Sequence, residues 1–272
     1  MIENPNKALW EKGDFTRIAE SMRQSGEEFV RDLGIAEGKY VLDLGSGDGT
    51  TAIPKAILGA NVLGVDIASN LVAAGNRRAQ KLGLKNVQFV EGDASNLAGI
   101  RDDAFDMTVS IFGAMFAPRP FDVAKEMVRV TKPGGRIVMG NWIPNDPTLV
   151  AQILKISSAY SPPPPEGFIS PMTWGVEDNV IERFGKAGIP AERIMFERST
   201  WTFRYPAPPS DFLLEFRHYY GPTMNAYDAA DKNGKTEELH QKLNELFISA
   251  NRSPIEELTV IPATYLKVSI NV

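Results

Sequence analysis

Between residues 39 and 142, short apolar runs alternate with stretches of helical period. Runs near 39–44, 62–66, 87–91, 105–110 and 135–142 have strand length and predict buried strands. The intervening periods predict helices near 51–59, 69–82 and 121–130. Pro54 fits the first of these if that helix begins late. Ala98 to Asp103 reads as a loop or a short helix. Such alternation indicates a parallel sheet with right-handed crossovers. Upstream, Trp10, Phe15, Ile18, Met22, Phe29, Val30 and Leu33 recur at roughly helical spacing and predict one or two amphipathic helices.

Beyond Trp142 the rhythm changes. Helices are predicted over Leu149–Tyr160, Val176–Ala187, Ser210–Tyr220 and Glu237–Ala250, and strands over Arg193–Tyr205 and Ile261–Ile270. Leu239, Leu243, Leu246 and Phe247 form one stripe that reads as core. Pro162 to Pro165 is extended, and is expected as a stiff loop beside a pocket.

The first strong run ends in V-L-D-L-G-S-G-D-G-T, Val41 to Thr50. Glycines at such a turn permit positive φ and a close approach of ligand to backbone. The free N–H groups of a following helix favour an anionic group there. The second strand ends in Asp66, about twenty residues beyond Gly45, where an acid accepts hydrogen bonds from ribose hydroxyls. The third strand runs into Gly92-Asp93-Ala94, which has no role in a dinucleotide fingerprint. The spacing is G-x-G-x-G rather than G-x-G-x-x-G, and no Tyr-x-x-x-Lys is present; both count against an NAD(P)-dependent oxidoreductase.

D-x-G-x-G-x-G, an acid closing the second strand and G-D-A after the third together resemble a class I S-adenosylmethionine-dependent methyltransferase. F-D-M-T-V-S (105–110) and R-V-T-K-P-G-G-R-I-V-M (129–139) resemble that family's fourth and fifth strands. The motifs cover residues 35–142, and the chain is most similar to the small-molecule branch that holds ubiquinone and menaquinone methyltransferases. Those enzymes lack so long a C-terminal half, so their substrate is not carried over.

The resemblance implies an α/β, Rossmann-like, seven-stranded, mostly parallel sheet with helices on both faces. It also implies a helical cap inserted in the C-terminal half. Residues 1–36 would form a helical lid, 37–142 the cofactor core, and 143–272 the completing strands and substrate cap. S-adenosyl-L-methionine would be the cofactor. Its methionyl end is expected over Gly45, Ser46 and Gly47 with Asp43 near the ammonium, directly or through water, its ribose on Asp66, and its adenine on Asp93 and Ala94. Ile67 and Leu97 are expected beside the ring, and Ser110 beside the cofactor. Trp10, Phe15 and Thr16 are lid candidates; they either close over the cofactor or pack on the sheet. Phe112, Met115 and Phe116 either line the acceptor pocket or sit under the sheet edge. Phe15 is expected in the same pocket, with Trp142, Phe168 and Trp174, which otherwise hold the extra helices to the sheet.

Composition narrows the function. With net charge −5 and scattered Lys and Arg, there is no basic stripe for nucleic acid. The absence of an N/D-P-P-Y/F signature after the fourth strand, where S-I-F-G-A-M-F stands, removes the case for DNA bases or protein glutamine. There are no cysteines, and the two histidines, His218 and His240, are far apart; no metal site is expected. No apolar run spans a membrane and the opening M-I-E-N-P-N-K is no signal peptide, so a cytoplasmic protein is the expectation. A small, apolar or aromatic methyl acceptor is expected. For a general base His218 is the first candidate, against the alternative of a hydrogen-bonded structural histidine. Tyr219, Tyr220 and Glu215 follow, and His240 reads as solvated. A non-catalytic, cofactor-binding protein is the remaining rival, since fold does not fix function.

Overall fold

A computed structural model describes Asn4 and residues 6–272. The reading of the first residues as no signal peptide therefore lies in part outside the described residues.

Seven strands form one sheet: β1 (Tyr40–Leu44), β2 (Asn61–Asp66), β3 (Val87–Glu91), β4 (Phe105–Ile111), β5 (Thr131–Trp142), β6 (Ile194–Tyr205) and β7 (Thr259–Asn271). Their spatial order is β3-β2-β1-β4-β5-β7-β6. β1 to β5 are mutually parallel, and β7 runs antiparallel to both β5 and β6. The chain therefore reverses direction outward from β1, which opens a crevice at the carboxyl ends of β1 and β4.

The crossovers are α4 (Ala52–Ile57), α5 (Ser69–Lys81) and α6 (Pro120–Val130). α4 begins late, so Pro54 is its third residue, where a missing N–H costs no helical bond. Pairing register puts Thr108, Ile137 and Ile270 on one face and Trp201, Ala263 and Tyr265 on the other. α6 covers the first face, where Thr131 Oγ1 donates to the carbonyl of Met127. On the second, Phe29 packs on Trp201.

The N-terminal stretch forms three helices rather than one or two: α1 (Asn6–Glu11), α2 (Phe15–Glu20) and α3 (Arg23–Asp32). After β5 come α7 (Leu149–Ser158) and α8 (Glu177–Lys186), with a 3-10 turn at Pro171–Gly175 between them. Between β6 and β7 lie α9 (Pro209–Tyr219), α10 (Gly221–Lys232) and α11 (Thr236–Ala250). α10 is an addition to the sequence expectation. α11 packs on α7 and α9, and α10 on α9 and α7, so the insertion and α7 form one helical layer. α1 and α2 bridge that layer to α5. Among the described residues no helix is long and apolar enough to cross a membrane.

Candidate functional site

A cleft lies at the carboxyl ends of β1, β2, β3 and β4. Gly45, Ser46, Gly47, Asp66, Ile67, Asp93 and Ala94, all predicted, line it together. Gly45 has φ +68°, and a Cβ there would lie 2.5 Å from the Gly113 Cα. The turns after β1 and β4 therefore touch backbone to backbone, which only glycine permits.

The turn does not act as a free anion cradle. The N–H groups of Gly45 and Ser46 both donate to the Val65 carbonyl, at 2.8 and 3.1 Å. That of Gly47 donates to Asp66 Oδ2 at 2.7 Å. α4, with six residues, starts only at Ala52. The turn instead brings its backbone close and leaves the Ser46 hydroxyl buried without a partner among the described residues.

Asp66 is not an exposed strand-end acid. It is buried, and its other oxygen accepts the Ala68 N–H at 2.9 Å. Burial raises its carboxyl above the ordinary range, against the lowering effect of those N–H bonds. An ionised carboxylate offers about four acceptor positions, so Asp66 retains capacity for two hydroxyls. Asp93 Oδ1 accepts from the N–H and hydroxyl of Ser95, and Oδ2 accepts from Asn4 Nδ2 at 3.1 Å.

Asp43 does not reach the cleft. It lies beneath the turn, 1 % exposed, and its Oδ2 accepts from Lys55 Nζ at 2.8 Å and Thr51 Oγ1 at 2.7 Å. Lys55 is fully buried, and its desolvation lowers its pKa against the pull of Asp43. Ser110 is likewise structural: its hydroxyl donates to the Leu44 carbonyl and accepts the Ala114 N–H. Leu97 and Met115 are buried off the cleft. Sequence reasoning did not single out Asp48, which lines the cleft and is gripped by Arg23 and Arg78. Nor did it single out Asn4, Asn6 or Trp201 as lining residues.

A second chamber adjoins the first, and Trp10, Phe15, Met22, Phe112 and Phe116 line both. Its remaining walls are Ile18, Trp142, Val150, Ile153, Phe203, Phe216 and Tyr220. None carries a carboxylate, an imidazole or an amine. Phe112 has φ +61°, the left-handed region, and stacks on Trp142 with ring centroids 3.7 Å apart. Such strain concentrates at functional sites.

α1 and α2 roof both cavities. Lys7 pairs with Glu91 at 2.6 Å, and Glu11 accepts the N–H and hydroxyl of Ser69 at the start of α5. Lys12 pairs with Asp228 of α10, and Arg17 with Glu215 of α9. Glu215 is thereby occupied, and Thr16 donates its N–H and hydroxyl to Asp14, the N-cap of α2, and lines neither cavity.

Several expected residues lie elsewhere. His218 is exposed and lines neither cavity, because the buried face of α9 is Phe212, Leu213 and Phe216. Tyr219 sits outside both, under the Arg17 guanidinium. Phe168 is 54 % exposed, and the Pro162–Pro165 run borders neither cavity. Trp174 is buried against Arg183 and Phe184, off both cavities. His240 is half-buried and hydrogen-bonded to the Tyr227 hydroxyl at 2.8 Å, not simply solvated.

A family profile described as a methyltransferase domain matches residues 42–139. An uncharacterized protein of Mycobacterium tuberculosis (strain ATCC 25618 / H37Rv) is 32 % identical over 223 residues, 82 % of this chain and 79 % of its own. A demethylmenaquinone methyltransferase of Paenarthrobacter aurescens is 36 % identical over 113 residues, 42 % of each chain. The solved phosphoethanolamine N-methyltransferase 2 of Haemonchus contortus, in complex with S-adenosylhomocysteine, superposes with a TM-score of 0.57 at 17 % identity, covering 91 % of this chain and 52 % of that one.

Proposed function

The chain belongs to the class I S-adenosylmethionine-dependent methyltransferases, and from that premise we propose that it methylates a small, largely apolar or aromatic molecule held in the second chamber. An oxidoreductase on a dinucleotide sheet is set aside, since β7 here is antiparallel and inserted between β5 and β6. The observation that carries the acceptor class is the lining of that chamber: aromatic and aliphatic throughout, with one hydroxyl. Apolar walls of this kind select apolar ligands, because any ion would be buried unpaired.

Bound S-adenosylmethionine supplies a methyl already activated by its sulfonium. The residues around it hold and orient. Asp66 takes the ribose hydroxyls; Asp93 and the Ala94 N–H take the adenine edge. Ser46 and the Gly45–Gly47 backbone face the methionyl end. Phe112 and Phe116, common to both cavities, form the boundary across which the methyl passes. α1 and α2 act as the lid, residues 143–272 supply the cap, and together they exclude water. Among the described residues no imidazole or carboxylate lines the second chamber, so the acceptor atom is one that attacks without deprotonation by a chamber residue.

The test is turnover. S-adenosylhomocysteine release should be driven by uncharged aromatic acceptors and not by a peptide, an oligonucleotide or phosphoethanolamine. Saturable release with any of the latter three, and none with the former, would overturn the acceptor class.

A further inference from the structure

Among the described residues that line the second chamber, Tyr220 alone carries a hydroxyl. The chamber's two tryptophans offer only N–H donors. Tyr220 closes α9, its N–H donating to the Phe216 carbonyl at 3.1 Å. The next residue, Gly221, opens α10, and a Cβ there would lie 2.2 Å from the Leu9 carbonyl of α1. Lid and cap therefore meet at this joint, and the Tyr220 ring is packed among Trp10, Phe15 and Phe216.

Tyr220 is 6 % exposed, and no hydrogen bond from a described residue acts on its phenol; a hydroxyl held beside aromatic rings gains from a partner. Phenylalanine would serve the packing as well. Burial is the one influence on the Tyr220 phenol, and it pushes the pKa well above the ordinary tyrosine range. The group therefore stays protonated at neutral pH and presents a donor. Among the described residues the chamber offers no cation to pair with a carboxylate or phosphate, and no carboxylate to pair with an amine.

We propose that the Tyr220 hydroxyl donates a hydrogen bond to an oxygen of the methyl acceptor, so that the acceptor is an uncharged, ring-bearing molecule with a hydroxyl or carbonyl group. This rests on the reading of the second chamber as the acceptor site. Tyr220 then selects the acceptor and sets its rotation in the chamber, while the aromatic walls supply the rest of the contact.

Three probes of matched shape test it: p-cresol, p-xylene and p-toluate, titrated by saturation-transfer NMR into protein saturated with S-adenosylhomocysteine. The wild type should bind p-cresol about tenfold more tightly than p-xylene, as one added hydrogen bond predicts, and should not bind p-toluate. Tyr220→Phe should bring p-cresol down to the level of p-xylene. Tyr220→Leu should do the same, and both variants should keep wild-type affinity for S-adenosylhomocysteine, which shows that they fold. Equal binding of p-cresol and p-xylene by the wild type, or a preference that survives Tyr220→Phe, overturns the hydroxyl contact and leaves the apolar chamber standing. Binding of p-toluate in preference, or of none of the three, overturns the chamber as acceptor site and the contact with it.

Discussion

The two cavities share a wall and are built by opposite means. The first is made of strand ends and turn backbone, with carboxylates whose oxygens are already oriented by N–H groups of Gly47, Ala68 and Ser95. Beneath it lies a buried ion pair, Lys55 with Asp43. The second is made of side chains from α1, α2, β5, α7, β6 and α9, with no charged group among them. Recognition in the first is fixed by the pitch of a parallel sheet. In the second it is fixed by which rings the helices bring together. The first should therefore be intolerant of polar substitution and the second of changes in shape.

The largest effect should come from beneath the first cavity. Lys55→Met leaves the Asp43 carboxylate buried without its cation, and breaking such a pair costs about 3–5 kcal/mol. Urea unfolding should show a loss of that order, with much of it recovered in the double variant Lys55→Met/Asp43→Asn. A loss below about 1 kcal/mol would mean that the buried pair does not support the turn.

Next is Asp66. Asp66→Asn removes the charge from bonds that are strong because they are charge-assisted, so S-adenosylhomocysteine affinity should fall about tenfold by calorimetry. The pH dependence has a definite sign. In the proposed contact, ribose hydroxyls donate to the ionised form, and burial raises the Asp66 pKa. Affinity should thus weaken as pH falls through that raised pKa, at higher pH than an ordinary carboxylate would require, and the Asn variant should be flat across the window. For unfolding of the free protein the sign is opposite: the folded pKa lies above the unfolded one, so this group's contribution to stability falls as pH rises through the window. Identical pH profiles for wild type and variant would remove Asp66 from the ribose contact.

The smallest effect lies on the shared wall. Phe112→Gly and Phe112→Ala both delete the ring, but only glycine relieves the left-handed backbone. The glycine variant should be more stable than the alanine variant by about 1 kcal/mol in urea unfolding, while both lose p-cresol binding. Alanine as stable as glycine would show that the turn carries no strain.

The same contrast governs what could be read from the chain. The strands and crossovers of the first half appear within a few residues of where the apolar runs predict them, because a strand buried on both faces writes itself as a run of Val, Ile and Leu. The glycine turn, Asp66 and Asp93 were legible for the same reason: each is set by a backbone position. Asp43 was misplaced because its partner, Lys55, lies one helix later and gives no local signal. α10 was missed because Gly221-Pro222 reads as a stop, and because its buried residues, Thr223, Ala226, Tyr227 and Ala230, keep helical spacing but are mostly small. For the aromatics, periodicity gives burial but not the partner: Trp142 reaches the chamber, whereas Trp174 turns to Arg183. His218 was decidable from spacing alone, since two residues beyond Phe216 is the opposite side of a helix.

The long antiparallel pair at the sheet edge has an evolutionary consequence. β6 and β7 stay in register over twelve residue pairs, from Ile194 opposite Ile270 to Tyr205 opposite Thr259. The chain leaves the sheet after Tyr205 and re-enters at Thr259, so the excursion holding α9, α10 and α11 departs from and returns to adjacent points. A segment anchored in that way can be lengthened, shortened or exchanged as a cassette without shifting the register of any strand. Selection acting on it can redraw the second chamber while the strand-end cleft is inherited unchanged.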